Sequence, residues 1–85
     1  MTDAEQTPDT KPGGYYVTMV RDGRVAYLVG PFINDHAAAL RAVEPARIAA
    51  AKIDPFADFD LFGTARLDFE HCRPGALNAA FGLPQ

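Results

Sequence analysis

Apolar residues between Tyr15 and Val43 fall first into two nearly continuous runs and then into a helical period. The two runs, 15–20 and 25–29, flank Asp22-Gly23, a pair that supplies the positive φ angles of a type I′ turn. Centring a hairpin there pairs Arg21 with Arg24, Val20 with Val25, Met19 with Ala26 and Thr18 with Tyr27. Continued without interruption, it pairs Val17 with Leu28 and Tyr16 with Val29. One face then carries Tyr15, Val17, Met19, Ala26 and Leu28; the other carries Tyr16, Thr18, Val20, Val25, Tyr27 and Val29. A half-exposed sheet alternates apolar with polar. Both faces of this hairpin are largely apolar.

Gly30-Pro31 ends the ladder, since proline has no N–H to donate. Phe32 and Ile33 turn back toward a core, and Asn34 or Asp35 caps the helix that follows. Ala37, Leu40 and Val43 share one helical face. Pro45 either kinks this helix or opens a second one. Residues 46–53 are helical by propensity, with Ile48, Ile53 and the alanines expected against the sheet. Asp54-Pro55 is a fresh helix start, and Phe56, Phe59 and Phe62 recur every three residues before Gly63. This spacing predicts a short helix carrying a dense phenylalanine cluster. Residues 64–69 alternate as a half-buried third strand. Pro74-Gly75 then turns the chain into one last helical turn, with Leu77 and Phe81 docking.

The expected fold is α+β: a three-stranded, mostly antiparallel sheet in the order 2-1-3, with helices packed on one face. A parallel third strand beside the second is the alternative. Residues 1–14, rich in Thr, Asp, Pro and Gly, are expected to be a disordered arm, and 15–85 a single small domain. One helical layer covers one sheet face. The other, carrying Tyr16, Val20, Val25, Tyr27 and Val29, is expected to be open and to serve as an interface.

Charge changes the picture locally. The net charge of −3 divides into −2 over 1–14, +2 over 15–53 and −4 over 54–70, with Arg73 beyond. An acidic total argues against general nucleic-acid binding. Arg21 and Arg24 at the hairpin tip are the candidate phosphate contacts, and Asp54, Asp58 and Asp60 form a candidate acidic face for a basic partner. The one cysteine, Cys72, precludes an intrachain disulfide and fits a reducing compartment. No basic start followed by an apolar segment and no apolar run of membrane-spanning length is present, so a cytoplasmic location is expected.

Candidate chemistry is sparse. His71-Cys72 and His36 lack the spacing of a zinc site, and no CxxC or HxxxH occurs. Adjacent residues in an extended segment point apart, so His71 and Cys72 do not form a nucleophile–base pair. The three aspartates lack the glycine and distal glutamate of a calcium loop. No Gly-rich phosphate loop opens a helix. No cofactor, metal or enzymatic activity is expected.

The segment VGPFINDHAAALRAV resembles the strand-to-helix corner in the second half of sporulation-related repeat domains, which bind cell-wall glycan. That resemblance spans about half the chain and implies a hairpin, corner, helix and late strand; no binding residues are carried over from it. The Tyr-Tyr-Val strand start, Asp-Gly-Arg turn and Gly-Pro-Phe corner are also similar to short uncharacterised proteins of bacterial prophages and plasmids. Some small acidic proteins of such elements block host nucleoprotein complexes, including CRISPR interference complexes. The expected function is a small non-enzymatic interaction module, a homodimer built on the apolar sheet face. The alternatives are an acidic inhibitor that mimics nucleic acid toward a host protein, and nucleic-acid binding through the hairpin tip.

Overall fold

A computed structural model describes residues 7–85. In chain order the elements are β1 (Gly14–Arg21), β2 (Arg24–Ile33), α1 (His36–Ile53) and β3 (Leu61–Leu67). Short 3₁₀ turns occupy Pro55–Phe59, Phe69–His71 and Asn78–Phe81. The strands form one antiparallel sheet in the order β2-β1-β3, so the fold is α+β and β3 lies beside β1.

Asp22 and Gly23 take φ of 51° and 76°, as the hairpin turn requires. The first four cross-strand pairs, from Arg21–Arg24 to Thr18–Tyr27, follow the sequence reading. The ladder then shifts: Val17 lies opposite Val29, which leaves Leu28 as an extra residue, and a second shift puts Tyr15 opposite Phe32. A one-residue slip moves all later side chains to the other face. The expected pairs Val17–Leu28 and Tyr16–Val29 are therefore not formed. Val29 shares a face with Val17 and packs in the core with Ala46 and Ala50.

Pairing with β3 completes the two faces. Ala26–Met19–Phe62 and Val29–Val17–Thr64 form rows toward α1; Val25–Val20–Leu61 and Tyr27–Thr18–Gly63 form rows on the outer face. The third strand thus begins at Leu61, earlier than its alternation suggests, and Gly63 lies inside it. Phe62 packs against the core, but Phe56 and Phe59 are 72% and 84% exposed. The expected phenylalanine cluster does not exist. In a 3₁₀ turn residues i and i+3 eclipse, so Phe56 and Phe59 do share a side. Ala57 takes the inward position instead.

The helix α1 runs unbroken through Pro45. Pro45 and Arg41 are on the exposed face, so the carbonyl that the proline leaves without an N–H partner is on the solvent side of the helix. Asp35 is the cap, its carboxylate accepting from the Ala38 N–H at 3.0 Å. Ala39, Ala46 and Ala50 are buried and Ala42 and Val43 pack beside them, so a stripe of small side chains meets the sheet. Ile48 and Ile53 point away from it, at 47% and 72% exposed, against expectation.

Two strips of chain complete the molecule. Residues 9–13 are tied down, unlike the disordered 1–14 arm of the sequence reading; residues 1–6 lie outside the described residues. Gly13 and Asn34 bond reciprocally, the Tyr15 hydroxyl donates to the Lys11 carbonyl at 2.6 Å, and Arg66 donates to the Pro12 carbonyl. At the other end, Gly75, Ala76 and Leu77 donate to the carbonyls of Gly30, Tyr27 and Leu28 along the irregular part of β2. Gly75 comes so close that a Cβ would meet the Leu28 oxygen at 2.6 Å. Asn78 is buried: its Oδ1 accepts from the Gly30 N–H and its Nδ2 donates to the carbonyls of Gly30 and Pro84. Leu77 and Phe81 dock against the core, as expected.

Removing the Asn78 side chain strands the buried Gly30 N–H, while the Gly30 carbonyl keeps the bond from the Gly75 N–H. One unpaired buried group costs about 1–3 kcal/mol, so Asn78→Ala is expected to lower the unfolding free energy by about that amount in a urea titration. A loss below about 1 kcal/mol would show that the closing segment does not depend on this amide.

Candidate interaction surface

Closure by the C-terminal segment divides the outer sheet face in two. At one end the Tyr16 hydroxyl donates to the Arg73 carbonyl at 2.5 Å and accepts from the Arg73 N–H at 2.8 Å. Burial pushes this phenol above its ordinary pKa. Thr18 is buried beside it, and the Tyr16 ring meets Tyr27 edge-on at 5.2 Å. Toward the hairpin tip the described residues provide no such cover. Val25 is 50% exposed, Tyr27 36% and Leu61 72%, while Val20 is half-buried between Val25 and Leu61.

Of the five residues expected on an open face, Val20, Val25 and Tyr27 are there. Tyr16 and Val29, at 1% and 0% exposed, are buried by the chain itself. Tyr16 is covered by the Arg73 segment, and Val29 is turned to the helix side by the bulge at Leu28. The sequence reading missed Leu61, Phe56 and Phe59, which join Val20 around one shallow hollow. Its signal was the 56–59 spacing after Pro55, which fits a 3₁₀ turn as well as an amphipathic helix.

Charges fix the position of this hollow. Arg21 makes a two-pronged pair with Asp60 at 2.7–2.9 Å and reaches Asp54 at 3.1 Å. Asp54 also caps the 3₁₀ turn by accepting from the Phe56 N–H. Asp58 pairs with Arg47 at 3.1 Å, and Arg47 is bonded to Glu44 as well. All three aspartates of the expected acidic face are in ion pairs within the chain, but Asp54 and Asp60 share Arg21, and Asp58 shares Arg47 with Glu44. Arg21, one of the two candidate phosphate contacts, is occupied by two carboxylates, while Arg24 is exposed at the tip. The Asp60 and Asp54 carboxylates hold Arg21 firmly protonated, and Arg21 in turn draws Asp60 below the usual carboxylate range. The pairing ties the hairpin tip to residues 54–60, so Val20, Phe59 and Leu61 belong to one unit.

The remaining chemistry-bearing groups have structural work. His36 stacks on Tyr15 with ring centroids 4.8 Å apart. Its Nδ1 accepts from the Asp9 N–H at 2.7 Å; a backbone N–H can only donate, so the proton on Nε2 is directed to Thr64 Oγ1 at 2.8 Å. Among the described residues no three His, Cys, Asp or Glu side chains converge as a metal site would need. An apolar cleft of about 320 Å³ lies between Pro31, Pro74, Leu83 and Pro84, but its buried amide, Asn78, is already engaged. No helix among the described residues is long and apolar enough to cross a membrane.

The Arg21–Asp60 pair sets a pH dependence. Asp60 binds its proton less readily in the folded chain than in the unfolded one. Its contribution is therefore full above the ordinary carboxylate range and is lost as pH falls through the depressed value. Asp60→Asn should lower the melting temperature at neutral pH and narrow the gap to wild type in strong acid, as followed by circular dichroism. A gap that stays constant with pH would show that the pair adds nothing to stability.

No protein-family model, curated protein or solved structure matches this chain, so the reading of its function rests on its own residues.

Proposed function

We propose that the protein is a small non-enzymatic interaction module that self-associates through the uncovered half of its outer sheet face. The observation that carries this reading is the contiguous apolar surface of Val20, Val25, Tyr27, Leu61, Phe56 and Phe59, held at one end of the molecule. Scattered exposed apolar residues are ordinary, but a joined patch marks an interface.

The magnitudes support association. Covering an exposed Val, Leu or Phe contributes about 1.5–3 kcal/mol. Four such side chains give on the order of 6–12 kcal/mol, comparable with the roughly 4–15 kcal/mol that association costs in lost freedom. The balance favours a reversible complex over an obligate one. A second copy offers the same apolar chemistry. Neither the mimic nor the phosphate-binding alternative gains similar support: Asp54 and Asp60 are engaged by Arg21, Asp58 by Arg47, and Arg21 itself is held by two carboxylates.

Light scattering after gel filtration tests the reading. The unmodified chain is expected to exceed its 9.2 kDa protomer mass at high micromolar concentration. Val25→Asp and Tyr27→Asp, both at exposed positions, should shift the midpoint of association at least about tenfold, or 1.4 kcal/mol, with the circular dichroism unchanged. A protomer mass at all concentrations, or no shift in either variant, would refute it.

A further inference from the structure

The two edges of the sheet are treated differently. On β2, the outer edge from Tyr27 to Gly30 is closed by hydrogen bonds from residues 75–77. On β3, among the described residues, no backbone–backbone bond outside the sheet reaches residues 61–67. Exposed edge strands usually protect themselves with charges, proline or a bulge. The strand LFGTARL has no proline, pairs with β1 in one unbroken register and carries one charge, Arg66. We propose that the free edge of β3 pairs antiparallel with β3 of a second copy about a two-fold axis through Thr64, making a six-stranded sheet. This edge adjoins the outer face assigned above and shares Leu61 with it, but its backbone pairing does not involve Val25 or Tyr27.

The occupant is argued from self-complementarity. A two-fold through Thr64 places Leu61 opposite Leu67 of the second copy, Gly63 opposite Ala65, and Phe62 opposite Arg66. The outer-face pairs are thus wholly apolar, and within the strand no like charges meet. An arginine over a phenylalanine ring is itself favourable. Phe59 and Phe69 lie in the 3₁₀ turns that flank β3 at its two ends. These two rings are 84% and 52% exposed and have no apparent use within one chain. Asp60 would approach Asp68 of the second copy, but each is already paired, with Arg21 and Arg66. Any extended peptide could take the backbone bonds; the leucines matched at both ends of the strand and the absence of like-charge pairs within it single out the strand itself. The axis runs perpendicular to the sheet, so both helices lie on one side and the two apolar outer faces merge on the other.

The experiment uses full-length chains in a Cys72→Ser background. Gly63→Cys is mixed with Ala65→Cys and treated with a short thiol-reactive cross-linker. A Cβ at Gly63 meets nothing within 4 Å, so the fold tolerates it. The mixed pair should cross-link several-fold more than either variant alone, and should continue to do so with Val25→Asp added. Equal yields in mixed and unmixed samples, or no cross-link, overturn the edge pairing. If that happens while the face variants still lower the mass, the edge proposal alone fails; if the cross-link persists while those variants change nothing, the face reading alone fails. Amide exchange of the unmodified chain is the second measurement. Protection of alternate β3 amides should rise with protein concentration, and a concentration-independent pattern also overturns the proposal.

Discussion

The hydrogen bonds between the C-terminal segment and the irregular half of β2 determine what this small molecule covers and what it exposes. Leu28 is an extra residue in the hairpin, and beyond it the ladder to β1 loses its regular register. A bulge leaves backbone groups without their strand partners, and buried groups of that kind must bond elsewhere. The carbonyls of Tyr27, Leu28 and Gly30 accept from residues 75–77, and the Asn78 side chain accepts from the Gly30 N–H and adds a second donor to its carbonyl. The chain that answers this local need also passes over Tyr16 and hides it. The bulge, the buried asparagine and the closed half of the outer face are consequences of one another.

The regular half of the hairpin has no such need, so no segment is drawn over it. There the two ladders are in simple register, and the row Val25–Val20–Leu61 is left facing outward. The Arg21 fork to Asp60 and Asp54 anchors the Pro55–Phe59 turn beside that row and presents two phenylalanines to solvent. An 85-residue chain that leaves this much apolar surface uncovered gives up stabilisation that most domains of its size need. The proposed association would return it.

The sequence carried the local elements well, because each had its own chemistry. Asp22-Gly23 specified the turn, Asp35 the cap and Asp54-Pro55 the restart, and the order 2-1-3 followed from hairpin economy. What it concealed depended on contacts distant along the chain. Nothing near Leu28 announces a bulge, because the compensating donors lie at 75–78. Uninterrupted alternation therefore puts Val29 on the wrong face and leaves Tyr16 open, whereas Arg73 covers it. Acidic and basic groups that look like separate patches engage each other, since Arg21 and Asp60 are far apart in sequence and adjacent in space. Periodicity also misled at Phe56 and Phe59: a spacing of three identifies residues that share a side without saying which side faces the core. Alanines, too small to stand out in the pattern, form the inner stripe of α1 and leave Ile48 and Ile53 outside.

The central claim is that the hairpin end of the outer face is covered by another molecule in solution, whereas the Tyr16 end is covered by the chain itself. Hydroxyl-radical footprinting of the unmodified protein over a concentration series measures this directly, because tyrosine and phenylalanine rings both react when accessible. Oxidation of Tyr27 and Phe59 is expected to be high in dilute solution and to fall as concentration rises, with Tyr16 protected throughout. Labelling of Tyr27 and Phe59 that stays high at every concentration, or ready labelling of Tyr16, would contradict the account.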